Sequence, residues 1–155
     1  MPELVDELRA GGLKVTAGRV AVLRALESHP HSDAEEVLAA VVDEVRGISV
    51  QSVHNVLADL TRAGLVRRIE PARSAARYER RVGDNHHHVV CTGCGAITDV
   101  DCVVGHAPCL HPSDAAGYVI DVAEVIFWGR CAACASTPAA TADRGGATPT
   151  QRGDS

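Results

Sequence analysis

The stretch Asp84-Asn85-His86-His87-His88-Val89-Val90-Cys91-Thr92-Gly93-Cys94 runs three consecutive histidines into a C-x-x-C pair. Imidazole and thiolate are the ligands of borderline and soft metal ions, and a C-x-x-C turn offers two thiolates at a bite that suits a tetrahedral ion. A second pair, Cys131-Ala132-Ala133-Cys134, lies near the end of the patterned part of the chain. Cys91, Cys94, Cys131 and Cys134 together read as a structural zinc site. One redox-active C-x-x-C beside a chance repeat, or two disulfides, are the competing readings. A closed four-thiolate site leaves no vacancy for histidine, so the histidines require a function of their own. If the stretch is a strand, its two-residue period puts His86 and His88 on one face and His87 on the other.

Composition narrows the setting for that chemistry. The acidic start, Met1-Pro2-Glu3-Leu4-Val5-Asp6-Glu7, lacks the basic region of a signal peptide. No apolar run approaches the roughly 20 residues that span a bilayer. These features predict a cytoplasmic protein without a membrane partner, where paired cysteines more often bind metal than form disulfides. The net charge of −5 argues against nucleic acid, but its distribution does not. Residues 1–44 carry four basic and nine acidic side chains, residues 45–81 eight and three, and residues 82–155 three and eight. A basic segment between acidic ones is a local polyanion footprint or a solvated charged face.

The elements that must carry these residues follow from periodicity and caps. Pro2 to Ala10 predicts a short helix ended by Gly11-Gly12, and Thr16 caps a second that stops at His29-Pro30. Ser32-Asp33-Ala34-Glu35 reads as a capping box, with Ser32 and Glu35 as its reciprocal partners, opening a third helix that runs to Gly47. Ser49 caps a fourth helix, Val50 to Ala63, whose apolar face is Val53, Val56, Leu57 and Leu60. Its other face, with Gln51, Ser52, His54 and Asn55, has the groups a recognition helix presents to base edges. Leu65 to Glu70 and Ala75 to Arg80 predict a hairpin bearing Arg67, Arg68, Arg73, Arg77 and Arg80. Helices followed by a basic hairpin predict a winged helix; an ordinary helical domain with a solvated hairpin is the plainer alternative.

Beyond Asp84 the period falls toward two. Ala96 to Val100 predicts a second strand, and Tyr118 to Val122 with Glu124 to Trp128 a third, interrupted one. Pro108 and Pro112 keep any helix between them short or broken. The Ser-, Thr-, Pro-, Ala- and Gly-rich residues 136–155 predict a disordered tail. The expected fold is therefore α+β: a winged-helix DNA-binding domain over 1–81, then a small α/β domain over 82–135 with the four-cysteine zinc site.

This arrangement resembles the ferric-uptake-regulator family of metal-dependent bacterial repressors. The resemblance spans about residues 3–134 and rests on Leu13-Lys14-Val15-Thr16 with Arg19, Ile48-Ser49 through Val53, Ala63-Gly64-Leu65-Val66, Arg77-Tyr78-Glu79, and His86-His87-His88 leading into the cysteines. Arg-Val-Gly-Asp-Asn-His-His-His and Ala-Pro-Cys-Leu look most like the peroxide-responsive, catalase-associated branch in actinobacteria. The resemblance implies a homodimeric repressor that is not an enzyme and binds an inverted-repeat operator in double-stranded DNA. It implies a regulatory metal, Fe(II) or Mn(II) with Ni(II) or Zn(II) as alternatives, held between the domains by His31, Glu79, His86, His88 and Asp99. Lys14 would reach the minor groove, with Arg19, Ser49, Arg73 and Arg77 also on the DNA side. A partial third metal site would use His87 and His106, its remaining histidine being replaced by Ala123. Cys102 and Cys109 lie outside both C-x-x-C pairs and read as inert fillers or as a thiol switch. Departures from the family are His54 in place of the usual tyrosine and Ala17-Gly18 in place of Pro-Gln. Within the class the alternative is a nickel, manganese, iron or zinc sensor repressor of the same architecture, and from another class a zinc hydrolase built on His86, His88 and a carboxylate.

Overall fold

The computed structural model describes residues 2–106, 108–121 and 123–136. The N-terminal unit packs α1 (Pro2–Ala10), α2 (Ala17–Ser28), α3 (Ala34–Val41) and α4 (Val50–Arg62) beside a short antiparallel hairpin, β1 (Arg67–Ile69) and β2 (Arg77–Glu79). The apolar faces read from the periodicity meet in one core. Leu8, Val22, Leu23, Val53, Leu57 and Leu60 are completely shielded from solvent within it. Thr16 caps α2 by accepting from the Arg19 amide, and Ser49 caps α4 by accepting from the Ser52 amide. Each cap satisfies one of the amides a helix start leaves unpaired.

The third helix begins and ends differently from the sequence expectation. Its N-cap is Asp33, whose carboxylate accepts from the Glu35 and Glu36 amides while Glu36 accepts from the Asp33 amide. The capping box is therefore Asp33 with Glu36, because the Ser32 hydroxyl donates instead to the His29 carbonyl at 2.8 Å. At its other end α3 stops at Val41 and passes through turns to Gly47, which has φ 78°. Two adjacent β-branched residues and Asp43 are weak helix formers, so the pattern of apolar positions outlasts the helix itself.

The second unit is a three-stranded sheet in the order β4-β3-β5, formed by β3 (His86–Cys91), β4 (Ile97–Asp101) and β5 (Ile126–Gly129). β3 is central, antiparallel to β4 and parallel to β5. Only the second half of the predicted third strand forms: Tyr118–Asp121 has no strand structure, and Val122 lies outside the described residues. Gly117, at φ 82°, turns the chain just before that segment, and Tyr118 and Val119 are exposed. A one-and-a-half-turn helix, α5 (Ala132–Ser136), follows Cys131 and was not apparent from the pattern. Ser136 thus belongs to that helix, and the rest of the predicted tail, 137–155, lies outside the described residues. No described helix is long and apolar enough to cross a membrane.

The two units differ in what fills them. Among the described residues from 82 onward, the buried set is His86, His87, His88, Val90 and Cys91. A sheet whose interior is mostly imidazole and thiol lacks the apolar surface that usually holds a small domain together. Val103, Leu110, Tyr118, Val119, Phe127 and Trp128 are instead exposed on this unit.

Candidate metal centres and DNA face

The strand register places donors on one face of the sheet. His88 stands directly across from Asp99 on β4, and His86 from Asp101. His86 and His88 share a face of β3, as their two-residue spacing requires, and their rings meet edge-on at 4.9 Å. The other donors come from the N-terminal unit. Glu79 ends β2, and His31 lies in the α2–α3 connection with φ 62°, in the left-handed region that is costly for a side-chain-bearing residue. The His31 amide donates to the Tyr78 carbonyl, and the Tyr78 amide donates to the Ser32 carbonyl, so this backbone is pinned to the hairpin.

Three imidazoles converge on one carboxylate. His31 Nε2 is 2.9 Å from Glu79 Oε2, His86 Nε2 is 2.9 Å from Oε1, and His88 Nε2 is 3.3 Å from both. His31 Nε2 also lies 2.7 Å from Asp99 Oδ1, and His88 Nε2 lies 3.5 Å from it. Glu79, His86 and His88 are almost completely buried. His31, Glu79, His88 and Asp99 offer donor atoms all within 4.8 Å of one another, with His86 bonded to Glu79 at the rim. All five sequence-named residues are brought together, and they come from both units.

The electrostatics of this cluster favour a cation. The hydrogen bond to Glu79 raises the His31 imidazole above its ordinary value, with burial opposing and the Asp99 charge adding. Burial alone would raise Glu79, but the bonds to His31 and His88 and the nearby imidazoles outweigh it, holding the carboxyl far below its usual range. One N–H on His31 cannot serve two carboxylates at full strength, and His88 Nδ1 is buried without a hydrogen-bond partner. A divalent ion accepting the Nε2 lone pairs and carboxylate oxygens resolves the competition at His31, while His88 Nδ1 then carries the ring proton on the side away from the ion. Asp84 was missed by the sequence reading: its Oδ1 sits 2.7 Å from His86 Nδ1 and fixes the ring with Nε2 facing Glu79. The Asp84–His86 spacing on a strand entry was the available signal.

The four cysteines also gather, their Sγ atoms within 4.8 Å of one another. The first pair is a turn at the end of β3, in which the Gly95 amide donates to the Cys91 carbonyl with Gly95 at φ 76°. Gly93 lets the second knuckle approach closely, because a Cβ there would lie 3.0 Å from Cys134 Sγ and 3.1 Å from its Cβ, so the cysteine would have to give by a few tenths of an ångström. The second pair is delivered by β5, anchored by the Thr92 amide and hydroxyl on the Gly129 carbonyl. The backbone amide of Cys131, then those of Cys94 and Gly93, lower the Cys91 thiol to about 6. Cys134 is pushed up to about 12 by Cys131, Cys94 and Cys91 crowding it. Thiolates held this close repel without a cation between them, and a tetrahedral d10 ion suits the set.

The predicted partial third site does not assemble as expected. His106 is exposed, with Nδ1 3.2 Å from the carbonyl of its own neighbour Val104, and Ala123 lines a different hollow beside His86. His87 meets Cys109 and Cys102 instead.

Of the residues expected to face DNA, α4 exposes Gln51, Ser52, His54 and Asn55, with Gln51 Nε2 donating to Asn55 Oδ1 at 3.1 Å. Lys14 and Arg73 are exposed, Arg73 at the hairpin turn with φ 62°. Two residues expected on the DNA side are committed within the fold. Arg19 pairs with Asp59 at 2.6 Å and donates to the Lys14 carbonyl, tying α2 to α4. Arg77 pairs with Glu36 at 2.7 Å and Asp33 at 3.7 Å, bracing β2 against α3. Arg80 likewise pairs with Glu7 and Glu27. Sequence charge counts could not tell these braces from free cations.

A winged helix joined to a small sheet whose histidines and cysteines gather into metal-shaped clusters defines a metal-responsive transcriptional regulator. The Ferric uptake regulator family profile matches residues 10–103. The chain is 54% identical over 134 residues to the transcriptional regulator FurA of Mycobacterium tuberculosis, covering 86% of this chain and 91% of the relative. The fold superposes on the Vibrio cholerae ferric uptake regulator with a TM-score of 0.64 at 25% identity, covering 82% and 98% of the two chains. It superposes on the Campylobacter jejuni peroxide stress regulator with a TM-score of 0.59 at 26% identity, covering 83% and 93%. The chain belongs to the ferric uptake regulator family.

Proposed function

We propose that the chain is a homodimeric repressor whose operator affinity is set by a metal held between a DNA-binding unit, residues 1–81, and a dimerisation unit, residues 82–135. The observation that carries this reading is the convergence of His31 and Glu79 from one unit with His86, His88 and Asp99 from the other. An ion held by both sets fixes the angle between the units, and so the spacing of two recognition helices on an inverted repeat. The exposed apolar residues of the second unit supply a surface for a second copy. Cys91, Cys94, Cys131 and Cys134 would hold zinc as a fixed part of that unit. Family membership points away from the zinc-hydrolase alternative.

The finer reading is a peroxide-responsive repressor, controlling a catalase or another oxidative-stress gene. It is supported by likeness to the Campylobacter jejuni peroxide stress regulator and by the family resemblance, in which aspartate rather than glutamate at the position of Asp99 favours peroxide sensing over plain iron sensing. Fe(II), when bound, would supply reactivity toward peroxide, and His31 and His86, the imidazoles 2.9 Å from the two Glu79 oxygens, would be the residues oxidised. Peroxide should release Fe(II)-loaded protein from DNA irreversibly and add mass to the peptide holding His31 or His86, whereas Mn(II)-loaded protein resists. Release that ignores the metal and disappears in a Cys102→Ser/Cys109→Ser variant would overturn it in favour of a thiol switch.

The DNA-contact assignment has its own expected result. Replacing Gln51 or Asn55 should cost about 1–3 kcal/mol of discrimination at one base step. Arg73→Ala should weaken specific and random DNA alike and flatten the salt dependence, because phosphate contacts carry no sequence. Binding curves on operator and random duplexes over a salt series check both. Identical profiles for the two kinds of variant would misplace the recognition helix.

A further inference from the structure

β3 has a second face, and its chemistry differs from the first. There His87, only 7% exposed, points away from His86 and His88 and meets two thiols. His87 Nε2 lies 3.3 Å from Cys109 Sγ, and the donor atoms of His87, Cys102 and Cys109 all fall within 4.8 Å of one another. Cys102 follows directly on β4, while Cys109 arrives from the irregular segment that returns toward β5. The three donors adjoin a hollow of about 240 Å³, walled by Val103, Val104, Leu110, Val125 and Phe127. The Phe127 ring stands edge-on to His87 at 6.2 Å. Asp101, on the same rim, is held by Arg81 at 2.7 Å.

We propose that His87, Cys102 and Cys109 form a further metal site for a thiophilic cation of the Zn(II) type, separate from both the four-cysteine cluster and the cluster between the units. Two thiolates and one imidazole are three of the four donors a tetrahedral zinc takes, with the fourth position left to water or an external ligand. Donors about 2.0–2.3 Å from a central ion stand roughly 3.5 Å apart, close to the 3.3 Å between His87 and Cys109. The soft donors and apolar wall disfavour Mg(II), Ca(II) and Mn(II), which prefer oxygen. Burial works against both thiolates: with Cys102 beside it Cys109 is held above its ordinary value, whereas the amides of Gly105 and Val104 outweigh burial at Cys102 and hold that thiol below its own, so the site rests on the donor geometry. Binding releases the thiol protons and changes no oxidation state. Its consequence is local: the ion ties the Cys102–Cys109 segment to the back of the strand that carries His86 and His88.

The test uses the full dimer and no DNA, so it stands or falls independently of the repressor reading. A mild chelator first reduces the protein to one zinc per chain, held by Cys91, Cys94, Cys131 and Cys134. Co(II) is then titrated as a spectroscopic stand-in for zinc. One thiolate-to-cobalt charge-transfer band per chain is expected, since the donors around Glu79 include no sulfur. The band should persist in His31→Ala, disappear in Cys102→Ser and in Cys109→Ser, and require about 10–100-fold more cobalt in His87→Ala. Zn(II) should also slow alkylation of Cys102 and Cys109 in the unmodified protein. No band while the four-cysteine zinc is retained, a band surviving in the Cys102→Ser/Cys109→Ser variant, or a Cys102–Cys109 disulfide that persists with Zn(II) and reductant present would each overturn the site.

Discussion

Replacing His88 with alanine should erase the metal dependence of operator binding while leaving the four-cysteine zinc and the dimer in place. His88 is completely buried, its Nε2 faces both oxygens of Glu79 and one of Asp99, and it lies on the central strand of the second unit. The residue joins donors of the two units and belongs to neither the four-cysteine cluster nor α4. If the ion clamps the angle between the units, metal and operator are linked, and each tightens the other by the same factor. Coupling of this kind is typically about 5–150-fold, so the ratio of operator affinities with and without metal should fall from that range to near one. The reciprocal measurement, metal affinity with and without operator duplex, should lose the same factor. His86→Ala should act in the same direction, and Asp84→Asn more weakly, because Asp84 only orients the His86 ring. A His88→Ala protein that still binds operator more tightly with metal would dissolve the clamp.

Much of this site was legible before any coordinates, for a physical reason. The two-residue period of a strand dictates that His86 and His88 share a face, and a C-x-x-C turn dictates a thiolate pair. What periodicity cannot supply is register and long-range closure. Nothing local to Asp99 says that it stands across from His88, and nothing local to His31 says that the α2–α3 connection folds back onto β2. Those two came from the resemblance. The His87, Cys102 and Cys109 cluster was missed for the same reason: Cys109 sits in a segment without periodicity, so its return to β3 left no trace in the pattern.

The wing shows the opposite failure. Arg77 and Arg80 were counted as part of a basic footprint, but acids distant in sequence, Glu36 on α3 and Glu7 and Glu27 on α1 and α2, neutralise them. Charge counts along a chain treat every cation as free, whereas folding pairs some of them internally. Capping failed more gently. Ser32 and Asp33 are both good cap residues, and only the carbonyl of His29 decides which is free to act.

Cys131→Ser and Cys94→Ser should each lose about one zinc per chain and with it the dimer and the sheet of the second unit. The second unit has little else to hold it: its fully described interior is Val90, Cys91 and the three histidines, while Phe127, Trp128 and Leu110 are exposed. A structural zinc contributes on the order of 10–16 kcal/mol of apparent binding energy. That is comparable to the roughly 5–15 kcal/mol of a whole domain. Serine supplies no thiolate, and Cys131 and Cys94 sit in direct contact at 3.8 Å, so either change breaks both knuckles at once. The helices α1–α4 have their own apolar core and should keep their circular-dichroism signal while the second unit is lost. Elemental analysis, sedimentation and helical signal measured together separate this outcome from global misfolding. A serine variant that remains a dimer with one zinc per chain at the four-cysteine cluster would show that the cluster is not what holds this unit together.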